Sequence, residues 1–256
     1  MFERVEEDGI AFYRVALDGF RCVFSTRIGG VSRGVCESLN LGWTKRDARE
    51  NVARNRSLFS GAAGFEGPKL LRQVHGDEVI EVSDEETPEV QEGDALVTGT
   101  AGRALGVLTA DCLPVALWDP EAGCAAIAHA GRVGTARGVV TAALGRMTER
   151  YGSKPSDVRA FIGPGIGPER YEVGEEALDG VRERLPRWRE FAVPLGKGKF
   201  LLDLWGLNRC ALEEAGVPAD RVFTAGLCTE SNPREFFSYR RDGPGTGRMM
   251  NVVWME

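Results

Sequence analysis

GVLTADCLPVALWDPEAGCAAIAHAGRVGTARG, residues 106–138, carries Cys112 and His129 within one run of apolar segments and turns. Strand character appears at residues 105–109, 114–118 and 124–129, the last two joined by a turn at Asp119-Pro120. After His129 the period changes. Val139, Ala142, Ala143 and Met147 share one helical face, which predicts a helix from Gly134 or Thr135 to about Tyr151, closed by Gly152. Its free N-terminal amides then lie a few residues beyond His129, in reach of an anion.

Toward the N-terminus, β-prone runs at 11–15 and 20–25 flank Asp18-Gly19 and read as a hairpin. A glycine-rich loop with two arginines, residues 26–34, follows; it either binds an anion or turns the chain. Asp47 and Glu50 read as a capping box for a helix over 48–60. Strands are expected at 69–74, 78–82 and 95–98, with a solvated acidic connection at 83–93. Toward the C-terminus, a strand at 158–162 enters Gly163-Pro164-Gly165-Ile166-Gly167-Pro168, whose prolines and lack of a βαβ setting argue against a dinucleotide loop. Helices at 175–184 and 203–215 and strands at 222–224, 236–239 and 249–254 complete the reading.

The 256 residues, 43% of them hydrophobic, are enough for a full core. A net charge of -6 without a polybasic run offers no footprint for nucleic acid or an anionic membrane, so small-molecule partners are expected. The acid-rich start shows no secretory signal, and the longest apolar run, residues 104–118, is interrupted by Asp111. Six cysteines in such a chain read as reduced thiols, and the expected address is the cytoplasm.

The chain has two histidines, His75 and His129, each at the end of an apolar segment just before or near a glycine. With Cys112 they form a set of the ligand types that Zn(II) prefers, three in number, leaving a fourth position for water or substrate. Their spacing matches no zinc finger, and the deaminase signature of nucleobase enzymes is absent. Other readings of the same residues are a buried thiol with satisfied imidazoles, or a Cys and His nucleophile pair. Spacing does not separate them.

A series of segments resembles the YfiH family, the laccase-domain or multicopper polyphenol oxidoreductase group that includes purine nucleoside phosphorylases. The segments are Ser25-Thr26-Arg27-Ile28-Gly29-Gly30, Ser38-Leu39-Asn40-Leu41-Gly42, Arg72-Gln73-Val74-His75-Gly76, Gly93-Asp94-Ala95, Asp111-Cys112-Leu113-Pro114, Ala128-His129-Ala130-Gly131, Tyr171-Glu172-Val173 and a tail from Phe236 to Arg248. They follow the family order from about residue 20 to the end. The resemblance implies a single α+β domain over residues 1–256, with mixed β-sheets in a layered sandwich flanked by helices. It also implies zinc on His75, Cys112 and His129, and phosphorolysis of adenosine, inosine, guanosine or methylthioadenosine, with adenosine deaminase as a second activity.

From motif position, Arg27 and the amides near Gly134 are the candidates for holding phosphate, and Ser38, Asn40 and Gln73 for holding the nucleoside. Asp111 is the candidate acid for deamination. Similar proteins continue the second histidine motif as H-A-G-W-R-G, whereas here Arg132 and Val133 replace tryptophan and arginine, so Arg132 or Arg137 would reach the phosphate from a displaced position. Two histidines cannot build the centres of a four-copper oxidase, although copper on the His75, Cys112, His129 set would allow a copper-dependent polyphenol oxidase. A metal-free Cys112 and His129 hydrolase in cell-wall editing and a non-catalytic nucleoside-binding protein are the remaining alternatives. The sequence leaves the oligomeric state open.

Overall fold

The computed structural model describes residues 1–83 and 90–256; the acidic connection read at 83–93 falls largely outside them. The chain opens with β1 (Glu3–Glu7), β2 (Ile10–Leu17) and β3 (Phe20–Ser25), then α1 (Arg49–Ala63). It continues through β4 (Val79–Glu81), β5 (Ala95–Thr98), β6 (Leu105–Thr109), β7 (Leu113–Asp119) and β8 (Cys124–Ala130) into α2 (Arg132–Arg137) and α3 (Val139–Tyr151). Next come β9 (Arg159–Ile162), β10 (Glu172–Gly174), α4 (Asp179–Arg184), β11 (Ala192–Gly196), β12 (Lys199–Leu202) and α5 (Leu204–Glu214). The last elements are β13 (Val222–Thr224), α6 (Tyr239–Asp242) and β14 (Met249–Met255).

An antiparallel five-stranded sheet runs β1-β2-β3-β14-β6, and a mixed six-stranded sheet runs β13-β9-β7-β8-β5-β4. Strand periodicity decides what each face meets. Ala116, Trp118, Ala125, Ile127 and Phe161 of the six-stranded sheet pack with Phe20, Phe24, Val107 and Val253 of the other. The alternate residues Leu113, Val115, Leu117, Ala126 and Ala128 pack with Val139, Ala143 and Met147 of α3 and Leu207 and Leu212 of α5. Phe12, Val23, Met250 and Val252 cluster with Phe59 of α1, Leu39 and Leu41. The fold is therefore α+β, with an antiparallel and a mixed sheet in a layered sandwich flanked by helices. Among the described residues no helix is long and apolar enough to cross a membrane, and all six cysteines are free.

Several local expectations change. Asp47 does not cap α1, whose N-cap is Ala48 with no side-chain bond. Its carboxylate instead accepts from Ser32 Oγ (2.6 Å), Asn40 Nδ2 (2.8 Å) and Asn51 Nδ2 (3.0 Å), which ties the glycine-rich loop to the helix. The helix expected after His129 starts earlier, at Arg132, and breaks at Gly138. That glycine takes the left-handed conformation (φ 83°), and its amide closes α2 on Gly134 and Thr135. Residues 69–74 make only isolated bridges, because the chain turns there to deliver backbone amides to Asp94. Residues 236–239 are no strand: Phe236 and Phe237 are buried and Ser238 caps α6. The acid-rich start forms β1, a sheet-edge strand whose side chains stay largely in water.

Candidate metal centre and its cavity

Strand register brings the first two site residues together. β7 and β8 pair antiparallel with Leu113 opposite Ala130 and Pro114 opposite His129. One step further, Cys112 stands opposite Gly131, and a Cβ on that glycine would lie 2.7 Å from the Cys112 sulfur and 3.3 Å from His75 Cδ2. Only hydrogen fits there. Both Cys112 and His129 have the strand parity that faces away from α3, toward the space at the end of the sandwich.

His75 arrives from the loop before β4, and Asp94 fixes that loop. The Asp94 carboxylate, fully buried, accepts from the amides of Val74 (3.1 Å), His75 (3.0 Å) and Gly76 (2.6 Å), and from His129 Nδ1 (2.8 Å). Burial pushes its pKa up, yet the bonds from His129 and the Gly76 amide outweigh that and hold it below the usual carboxylate range. An ionised carboxylate only accepts, so His129 donates from Nδ1 and keeps Nε2 for the cavity. Asp94 thus sets the loop of one histidine and the tautomer of the other.

The donor atoms of His75, Cys112 and His129 lie within 4.8 Å of one another. The two imidazoles meet edge to face, with ring centroids 4.9 Å apart. Burial would raise the Cys112 thiol, but His129 first and His75 second bring it down to about 6. Burial lowers His129, while the Cys112 thiolate and Asp94 carry it up to about 9. Two nitrogens and a sulfur that ionises readily fit a divalent transition metal, whose ligand bonds of about 2.0–2.3 Å place ligands about 3.5 Å apart. With three protein ligands, a four-coordinate metal held there would keep one position for water or substrate.

That cavity, ≈ 660 Å³, is lined by the three ligand residues together with Trp43, Gln73, Asp111, Tyr171, Tyr239, Arg240 and Arg248. Backbone strain gathers at its floor, where His75 (φ 59°) and Asp111 (φ 86°) both occupy the left-handed region. Asp111 lines the cavity with both carboxylate oxygens engaged, one by Thr229 Oγ1 and the other by the Arg240 amide, each at 2.6 Å. Gln73 also lines it, but its amide is clamped to the Leu108 backbone by two 2.8 Å bonds.

The other sequence candidates stand elsewhere. Arg27 donates to the carbonyls of Glu37 (2.7 Å) and Pro233 (3.1 Å) and covers the Phe237 ring. Ser38 Oγ accepts from the amides of Gly29 and Gly30, and Asn40 Oδ1 from those of Gly42 and Arg248. These three residues build the glycine-rich loop and, through Asn40, anchor the Arg248 backbone; none lines the cavity. Arg132 lines a separate groove beside α2, and so does Val133. Sequence reasoning did not single out Asp94, Trp43, Tyr171, Tyr239, Arg240 or Arg248. All but Trp43 lie inside the matching segments, so their signal was present but carried no role.

The sequence model of the family described as multi-copper polyphenol oxidoreductase laccase matches residues 21–256. The chain is 42% identical over 233 residues to a purine nucleoside phosphorylase of Deinococcus radiodurans, covering 90% of this chain and 87% of the relative. It is 35% identical over 238 residues to the purine nucleoside phosphorylase YfiH of Shigella flexneri, covering 93% and 94%. Among solved structures, YlmD from Geobacillus stearothermophilus superposes with a TM-score of 0.92 at 32% identity, covering 100% of this chain and 98% of that one. YfiH of Bacillus licheniformis gives 0.91 at 30% identity, covering 97% of each.

Proposed function

The chain belongs to the YfiH family of laccase-domain proteins, and from that premise we propose that it is a zinc-dependent purine nucleoside phosphorylase. The observation that carries the reading is the convergence of two imidazoles and a readily ionised thiol on one wall of a cavity that also presents two arginines and three aromatic rings. Zinc bound by His75, Cys112 and His129 would supply a Lewis acid at the cavity floor.

Arg248 and Arg240 hold phosphate. The Arg240 guanidinium is braced over the Tyr171 ring and by the Glu172 carbonyl, and Arg248 by the carbonyls of Thr246 and Gly247. Trp43, Tyr171 and Tyr239 offer flat apolar surface to a purine. Phosphate attacks C1′ of the ribose as the bond to the base breaks, giving ribose 1-phosphate and free base. Burial raises the Tyr171 phenol and keeps it protonated; its oxygen faces the Arg132 donor, which leaves the hydroxyl hydrogen for the departing base. Adenosine deamination is the weaker reading, since the carboxylate of Asp111 is already committed to Thr229 and Arg240. Four-copper oxidase chemistry fails on the two histidines.

The test joins metal analysis to turnover of inosine and adenosine with and without phosphate. About one zinc per chain, phosphate-dependent release of base, and an Arg248→Gln variant whose phosphate KM rises about tenfold are expected. Base release without phosphate, or turnover that survives Cys112→Ala with no metal bound, overturns the reading.

A further inference from the structure

A second opening, a groove of ≈ 620 Å³, lies between α2 and α4 and shares no lining residue with the metal-ligand cavity. Helical spacing builds it. Arg132, Val133, Ala136 and Arg137 form one face of α2, and Gly180, Glu183 and Arg184 one face of α4. Three guanidiniums therefore meet one carboxylate in a chain whose net charge is -6.

Each arginine is placed differently. Arg184 lies against the Gly138 backbone, where a Cβ would fall 2.2 Å from its guanidinium carbon, and its Nη2 donates to Thr141 Oγ1 at 2.9 Å. Arg132 donates to the Ala177 carbonyl at 3.3 Å and also faces the Tyr171 phenol, which lines the neighbouring cavity. Arg137 is exposed and has no hydrogen-bond or ion-pair partner among the described residues. No carboxylate, Glu183 included, pairs with any of the three among the described residues. Positions 132 and 133 both line the groove, so the displacement of arginine by one residue in His129-Ala130-Gly131-Arg132-Val133 leaves the positive charge on it.

Unpaired guanidiniums side by side repel one another, and an anion that bridges them relieves the repulsion while accepting forked hydrogen bonds. A single phosphate engages one fork; a groove of this volume lined by three calls for a chain of phosphates. Its only apolar side chains are Val133 and Ala136, against three guanidiniums. We propose that the Arg132, Arg137 and Arg184 groove is a second anion site, distinct from the metal-ligand cavity, that binds an oligophosphate, either free or as the phosphate chain of a nucleotide.

The experiment is calorimetric titration of the purified protein at low salt with inorganic tripolyphosphate, ATP and orthophosphate. Tripolyphosphate is expected to saturate and to bind about tenfold more tightly than orthophosphate. Arg137→Gln, which removes a side chain with no partner, weakens it about threefold, and Arg137→Gln with Arg184→Gln about tenfold. Circular dichroism and a thermal melt establish that the double variant is folded; if it is not, the single variant decides. Cys112→Ala keeps the binding, which separates the groove from removal of a cavity metal by the polyphosphate. ATP binding more tightly than tripolyphosphate assigns the nucleotide, and equal affinity assigns the phosphate chain alone. Absence of saturable binding, indifference to the arginine variants, or loss in Cys112→Ala each overturns the site, whatever the outcome of the phosphorylase assay.

Discussion

Cys112 differs from the chain's buried thiols because two imidazoles face it. Burial pushes Cys22 well up, Cys124 up to about 12 and Cys210 up to about 11, whereas Cys112 comes down to about 6. Thiolate is the alkylated species, so lowering the pKa moves reactivity to lower pH. In metal-depleted protein, the part of the iodoacetamide rate that Cys112→Ala abolishes should be half-maximal near pH 6. Below that pH it should fall about tenfold per unit, whereas an ordinary thiol reaches half-maximum near pH 8.5. Added zinc should suppress it. A midpoint near 8.5 removes the imidazoles as the cause. At this scale the sequence identified His75, Cys112 and His129 through their chemistry and rarity, but it missed Asp94. A carboxylate that serves two histidine segments is visible only when both are folded around it.

The elements most legible in the sequence were those buried on both faces. β5 and β6 have the boundaries read from the sequence, β8 extends its reading by one residue at one end and β7 by one at each end. Exposed or short elements were not legible: β1 is polar, and β10, β11 and β12 form a small separate sheet that buries few side chains. The break between α2 and α3 was missed for another reason. It turns on the left-handed backbone of Gly138 (φ 83°), and a single glycine inside a helical pattern does not by itself announce a break. Gly138→Ala forces both a left-handed alanine and a displaced Arg184, so urea denaturation should show a loss of about 1–3 kcal/mol. An unchanged midpoint means that α2 and α3 tolerate a continuous path.

For the molecule as a whole, the two larger sheets meet across one continuous apolar interface. Phe20 is central to it, fully buried, stacked on Trp118 at 5.1 Å and on Phe161 at 5.8 Å between centroids. Phe20→Ala should cost about 3–5 kcal/mol, measured by equilibrium unfolding, because a cavity opens between surfaces that cannot both collapse into it. A loss under about 1 kcal/mol means that the sheets close around the vacancy. The cavity lies at the end of this sandwich, so its walls come from segments far apart in the chain: Trp43, Tyr171 and Arg248 meet there.

By itself the sequence determined the central strands and singled out the two-histidine, one-cysteine set, while the α+β class came from its resemblance to a known family. Alternation, apolar runs and side-chain chemistry are local properties that survive being read in one dimension. Only the tertiary structure decided that Arg27, Ser38 and Asn40 hold a loop while Arg240 and Arg248 reach the cavity, and that Arg132 lines a neighbouring groove with Tyr171 between the two. The physical reason is that a polar side chain near a site takes whichever partner the fold brings within hydrogen-bond distance. Buried backbone groups left unpaired are costly enough to claim it first.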